Sequence, residues 1–188
     1  MKKTMIAGVG VGALGLVALP IASTFAATTV TGTVELTVSS AISIASTETI
    51  NMTAINPGNS TTKNATITVN SNGSTGWNIK AVGSGEYSGD VTAMKGSVAN
   101  TSIATGTSGD AYWNFKLATS NERITLASGF GSEHAIPATA TKVANSTTNM
   151  ATISNGQITV TYKVKASSTQ IAGTYTGKVT YTIAAGTS

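Results

Sequence analysis

From Gln157 to Ala184 the chain alternates between apolar and polar residues with few breaks. Ile158, Val160, Tyr162, Val164 and Ala166 share one parity. After an interruption at Gln170–Gly173, Tyr175, Val179, Tyr181 and Ile183 resume the same pattern. Thr, Lys and Ser fill the positions between. Successive side chains of a strand point to opposite faces, so a period of two separates a buried face from a wet one. The residues are also mostly β-branched or aromatic, types that fit a pleated, half-buried surface. The pattern predicts a final β-hairpin turning at Ala172-Gly173, with the C-terminal strand in the core sheet.

Shorter alternating runs precede it. Val30, Gly32, Val34, Leu36 and Val38 predict a first strand, continued past a bend by Ile42 and Ile44. Ile50, Met52 and Ala54 predict another, closed by Asn56-Pro57-Gly58-Asn59, where Pro presets φ and Gly supplies a positive φ. Ala65, Ile67 and Val69 lead to Asn72-Gly73, a hairpin signal, and Trp77, Ile79 and Ala81 follow. Val91 to Met94, Trp113 to Leu117, and Ile124 with Leu126 predict further strands. Residues 83–89, 96–109 and 128–148 read as loops, and Asn155-Gly156 as a turn into the final hairpin. About nine short strands with regular turn signals point to an all-β chain, an antiparallel β-sandwich of the Ig-like or Greek-key type. A closed barrel is the alternative.

The N-terminus predicts destination. Lys2 and Lys3 precede an uncharged apolar run from Met5 to Pro20, and Thr24 and Ala26 place small residues before Ala27. This is the form of a secretory signal peptide, residues 1–26, cleaved after Ala26. The expected mature chain, 27–188, has the length of one β-sandwich domain and no stable membrane span. Gly10-Val11-Gly12-Ala13-Leu14-Gly15 matches a dinucleotide fingerprint, but it lies in the leader and lacks the βαβ setting that such a site needs.

Composition narrows the chemistry. The formal charge of +4 falls to +2 without Lys2 and Lys3, and the remaining cations are scattered. Nucleic-acid binding calls for a basic patch interleaved with aromatics, so none is expected. The chain has no cysteine, which excludes disulfides and lipid attachment through a thiol. His134, beside Glu133, is the single histidine and reads as a solvated loop residue. The seven carboxylates follow no metal-binding spacing; Glu86 and Asp90, flanking one glycine-rich loop, are the nearest to a Ca²⁺ pair. No catalytic residues, cofactor or metal are therefore assigned, and the chain reads as a non-enzyme. Trp77, Trp113, Phe115, Tyr162, Tyr175 and Tyr181 occupy core parity. Tyr87, Tyr112 and Phe130 fall off it and are candidates for stacking on sugar rings.

The closing segment, Ala172-Gly173-Thr174-Tyr175-Thr176-Gly177-Lys178-Val179-Thr180-Tyr181-Thr182-Ile183, resembles the last strand of bacterial WxL-type cell-surface domains. Asn56-Pro57-Gly58 and Gly76-Trp77-Asn78-Ile79 are similar to earlier strands of that family. Tyr181-Thr182-Ile183 stands where the family carries W-x-L. The resemblance implies a secreted β-rich protein held non-covalently on the cell envelope. Its partners would be a wall polymer or other surface proteins, with Trp77, Trp113, Tyr181 and Ile183 as candidate contact residues. Two other functions fit the sequence. One is a subunit of a surface fibre or layer, self-associating by donation of the strand at 28–38. The other is a secreted glycan-active enzyme.

Overall fold

The computed structural model describes residues 41–45, 54–83, 90, 92–147 and 150–186. All belong to one compact unit, Val38–Ser188. The predicted signal peptide, the strand expected at Val30–Val38, Ile50, Met52, Glu86 and Tyr87 lie outside the described residues. Among the described residues the elements are β1 (Ile42–Ala45), β2 (Ser60–Ser71), β3 (Trp77–Gly83), β4 (Met94–Gly96), β5 (Ser102–Ile103) and β6 (Tyr112–Ala118). These are followed by β7 (Ile124–Leu126), β8 (His134–Ala135), β9 (Thr141–Ser146), β10 (Ile153–Lys165), β11 (Tyr175–Thr176) and β12 (Val179–Ala185).

The strands form an antiparallel β-sandwich. One sheet has the order β1-β2-β10-β6-β8, the other β12-β3-β9-β7, and a small third sheet has the order β11-β4-β5. Alternation decides which faces meet. Ile67 and Val69 of β2, Phe115 and Leu117 of β6, and Ile158, Val160 and Val164 of β10 are buried from the first sheet. Trp77, Ile79 and Ala81 of β3 and Ala144 of β9 are buried from the second. Ile42 and Ile44 of β1 and Val179, Tyr181 and Ile183 of β12 pack against this core from the two sheets' edges.

The predicted turn at Asn56–Asn59 is present. Asn59 N donates to Asn56 O at 3.1 Å, and Gly58 has φ of 82°. Other turns differ from expectation. β10 and β12 do not form a hairpin, because they belong to opposite sheets. The same holds for β2 and β3 around Asn72-Gly73. Both connections carry the chain from one layer to the other, since each sheet's apolar face needs a facing layer to bury it. Asn155-Gly156 is no turn. It lies within β10, where the register to β2 shifts between Ile153 and Gly156 and Asn155 takes φ of 52°. This is a β-bulge, with the extra residue in the left-handed region that Asn tolerates.

Two predicted loops contain strands. β9 lies inside 128–148, and its alternation is broken by a second bulge. Ile79 faces Ala144 and Lys80 faces Lys142, leaving Val143 as the extra residue. The short strand β8 lies in the same stretch, and β5 lies inside 96–109.

Replacing Phe115, fully buried against Phe130 and Tyr162, with Ala is expected to cost about 3–5 kcal/mol of stability. Replacing its exposed neighbour Lys116 with Ala is expected to change stability by less than about 0.5 kcal/mol. Urea denaturation of the two variants, compared at equal slope, measures both.

Candidate functional site

At one end of the five-stranded sheet lies an open groove of about 910 Å³. Its walls come from the start of β1, the end of β2, the β6–β7 loop and the start of β10, with Ser43, Asn70, Asn121, Arg123, Thr152 and Ser154 among its lining residues. The loop is held by polar side chains of its own and by that of Thr147. Asn121 Oδ1 accepts from Arg123 N at 2.9 Å, and Thr147 Oγ1 donates to Glu122 O at 2.6 Å. Arg123 Nη1 donates to Thr152 O at 3.0 Å, tying the loop to β10. Across the groove, Asn70 Oδ1 accepts from Asn155 N at 2.7 Å, and Ala41 N donates to Asn72 Oδ1. The walls thus present hydroxyls, amides, one guanidinium and the Glu122 carboxylate, and no aromatic ring. Such a surface can hold a hydroxylated or amide-bearing polymer by hydrogen bonds, without ring stacking. Its sequence signal was the turn-forming run Ser120-Asn121-Glu122-Arg123, which carries the chain's single Arg.

A second polar cluster sits on the outer face of the same sheet. Lys163 of β10 and Asn114 of β6 are direct antiparallel partners. Glu133, just before β8, bonds both: Lys163 Nζ donates to Oε1 at 2.7 Å, and Asn114 Nδ2 donates to Oε2 at 3.3 Å. Asn114 Nδ2 also donates to Gly106 O at 3.1 Å. The Asn114 side chain is fully enclosed, and its Oδ1 has no partner. The Lys163 hydrogen bond is the main reason the Glu133 carboxyl is held below its usual range, and the Glu133 bond is the main reason the Lys163 ammonium is held above its own. Lys163 Nζ also lies 5.7 Å from the centre of the Tyr112 ring. No sequence motif marks this cluster, because its members lie far apart in the chain and the two on strands sit off core parity.

His134 is not a solvated loop residue. It lies in β8, half-buried, with its ring 4.1 Å from that of Phe130 in a stacked arrangement. Its Nδ1 lies 2.7 Å from Ala135 O, and only a protonated Nδ1 can donate there. Tyr112 and Phe130, expected as exposed stacking surfaces, are both buried. Asp90 spends its carboxylate on Thr92 N at 2.8 Å and Thr92 Oγ1 at 2.7 Å, and these bonds hold its carboxyl below the usual range.

The four residues expected to contact a wall or partner are dispersed. Trp77 is 0% exposed in β3, and Trp113 is 4% exposed in β6, its Nε1 donating to Thr92 O at 2.7 Å. Neither ring is presented to solvent. Tyr181 and Ile183 are half-buried in edge strand β12 and face the core. Tyr181 Oη lies 3.0 Å from Tyr162 Oη, so the two phenols join the two sheets. Gly177 passes so close to Trp113 that a Cβ there would stand 2.8 Å from the indole. The Gly of the closing segment thus has a packing reason.

Among the described residues no group of three or more His, Asp or Glu side chains is placed to hold a metal ion. Among the same residues no helix is long and apolar enough to cross a membrane. The chain matches no protein-family model, and no curated protein matches it.

Burial raises the pKa of both inter-sheet phenols above the ordinary value of 10.0, that of Tyr181 well above it. A raised folded-state value stabilises the protein fully below the unfolded value and ceases to do so as pH rises through the folded one. Stability is therefore expected to fall with pH above about 10. In the Tyr162→Phe, Tyr181→Phe double variant the fall is shallower, with stability at neutral pH lower by about 1 kcal/mol. Denaturation midpoints measured across the alkaline range test this.

Proposed function

We propose that the protein is a secreted bacterial cell-surface protein that associates non-covalently with the envelope by binding a wall polymer or another surface protein. The observation that carries this reading is the open groove beside Arg123, with its hydroxyl and amide walls. A wall glycan or its peptide stems offer hydroxyl, amide and carboxylate groups, which are complementary to these side chains. The leader-like residues 1–26, the mostly uncharged Thr- and Ser-rich strands and the likeness of the last strand to WxL-type domains support the location. A binding protein of this kind needs no cofactor and no catalytic constellation. The contact surface in this reading is the groove and not the tryptophans, which are committed to the core.

Incubation of the mature protein with purified cell walls is expected to leave most of it in the wall pellet after washing. Replacing Arg123 and Ser154 with Ala removes two groove donors, each worth about 0.5–1.5 kcal/mol. The apparent affinity is expected to drop about tenfold, corresponding to about 1.4 kcal/mol. Complete recovery of the unaltered protein in the wash would overturn the proposal.

A further inference from the structure

We propose that the side chains of Lys163 and Asn114 become joined by an intramolecular isopeptide bond, formed by the folded chain itself with Glu133 as the proton carrier. Three observations meet at this point. Lys163 and Asn114 are register partners on β10 and β6, so both side chains rise from the same face with Cβ atoms about 4.5–5.5 Å apart. The lysine stem is long enough to bring Nζ to the amide of its partner. Glu133 then touches both reacting groups with separate oxygens, at 2.7 Å from Lys163 Nζ and 3.3 Å from Asn114 Nδ2. Finally, the Asn114 amide is held in one orientation. Its two neighbours, Gly106 O and Glu133 Oε2, are both acceptors, which fixes Nδ2 toward the acid. Oδ1 is left buried without a partner.

A bare ion pair explains the Lys163–Glu133 contact but not the enclosed amide beside it. A buried carbonyl oxygen with no hydrogen bond is costly to leave there. An amide kept from water, with its leaving nitrogen against a carboxylate that also holds the lysine of the partner strand, brings together the three groups that transamidation requires. The step balances without any added reagent. Lys163 passes one proton to Glu133 Oε1, and the freed Nζ lone pair adds to Cγ of Asn114. The carbonyl pair moves to Oδ1 and then returns as the bond from Cγ to Nδ2 breaks. Glu133 delivers its proton to Nδ2, which leaves as ammonia. Of the three hydrogens that began on Nζ, one remains on the new amide, one leaves with the ammonia, and the third passes to solvent. One C–N bond forms, one breaks, and nothing is oxidised or reduced. Because Glu133 and Lys163 each stabilise the charged form of the other, the reactive pair of neutral groups is a minor species, and the bond forms slowly after folding.

The test is the mass and peptide map of the mature, folded chain, followed until the mass stops changing. The expected product is one ammonia lighter than its sequence mass. It is not cut by trypsin after Lys163, and it yields a branched peptide joining the segments that contain Asn114 and Lys163. Glu133→Gln and Lys163→Arg should keep the full mass, Asn114→Asp should lose water in place of ammonia, and Lys165→Arg should still lose ammonia. Cyclisation at Asn72-Gly73 or Asn155-Gly156 also releases ammonia, but it joins no second segment. An unaltered protein that keeps its full mass while folded overturns the proposal. So does an ammonia loss mapped only to those Asn-Gly pairs, or a branched peptide that persists in Lys163→Arg. The branched peptide is sought in the unaltered chain, so the outcome does not depend on whether any variant folds.

Discussion

The ladders on either side of β10 are the constraint on which the first sheet depends. β10 is its central strand, paired with β2 along one edge and with β6 along the other. A strand in this position must satisfy backbone groups on both sides and bury one face, and its sequence does both. Ile158, Val160 and Val164 turn into the core, while Thr159, Thr161, Lys163 and Lys165 turn outward. Slipping the register by one residue would send the apolar set to water. The bulge at Asn155 is where that register is adjusted. By absorbing one extra residue it lets β10 begin opposite Ser71 and still bring Ile158 opposite Ile67. The groove lies at this end of the strand, so the irregularity that sets the ladder also shapes the polar surface beside it.

The second layer is tied to the first by packing and by the passage of the chain between layers. β2 leads to β3, and β10 by way of β11 to β12, across the sandwich, so segments close in sequence become opposite faces of the core and not partners in a ladder. The contact between Tyr162 and Tyr181 belongs to this arrangement. Each phenol comes from a strand of a different sheet, and the two hydroxyls satisfy one another where neither has much water. With no cysteine in the chain, such side-chain contacts and the apolar core carry the joining role that disulfides serve in many secreted domains.

What was legible in the sequence follows from what alternation encodes. A period of two reports that a segment is a strand with one dry face, and β2, β3, β6, β10 and β12 were readable on that ground. It does not report which sheet a strand enters. Asn72-Gly73 therefore looked like a hairpin turn while serving as a crossing between layers. Alternation also fails at bulges, which hid β9, where Val143 interrupts the pairing of β3 with Ala144 and Lys142. The candidate sites were less visible. Trp77 and Trp113 were readable as core residues by parity, and the structure encloses them. The groove and the Lys163 cluster are built from outward-facing Ser, Asn, Glu, Lys and Arg side chains. Residues of these types are common here, and their sequence positions carry no sign of which ones meet.

The outer face of β10 shows why meeting there matters. An exposed ion pair contributes about 0–1 kcal/mol, too little for Lys163 and Glu133 to anchor the sheet by charge alone. A covalent link from Lys163 to Asn114 acts differently, by closing a loop of roughly 50 residues in the unfolded chain, which on chain-entropy grounds is worth about 4 kcal/mol. The link would span β6 and β10, the ladder beside β8. It would also convert the enclosed Asn114 amide, whose oxygen now has no partner, from an isolated polar group into part of the connection between strands. In a chain without disulfides such a link adds most where it ties the central strand of a sheet to its neighbour. The cluster lies on that seam.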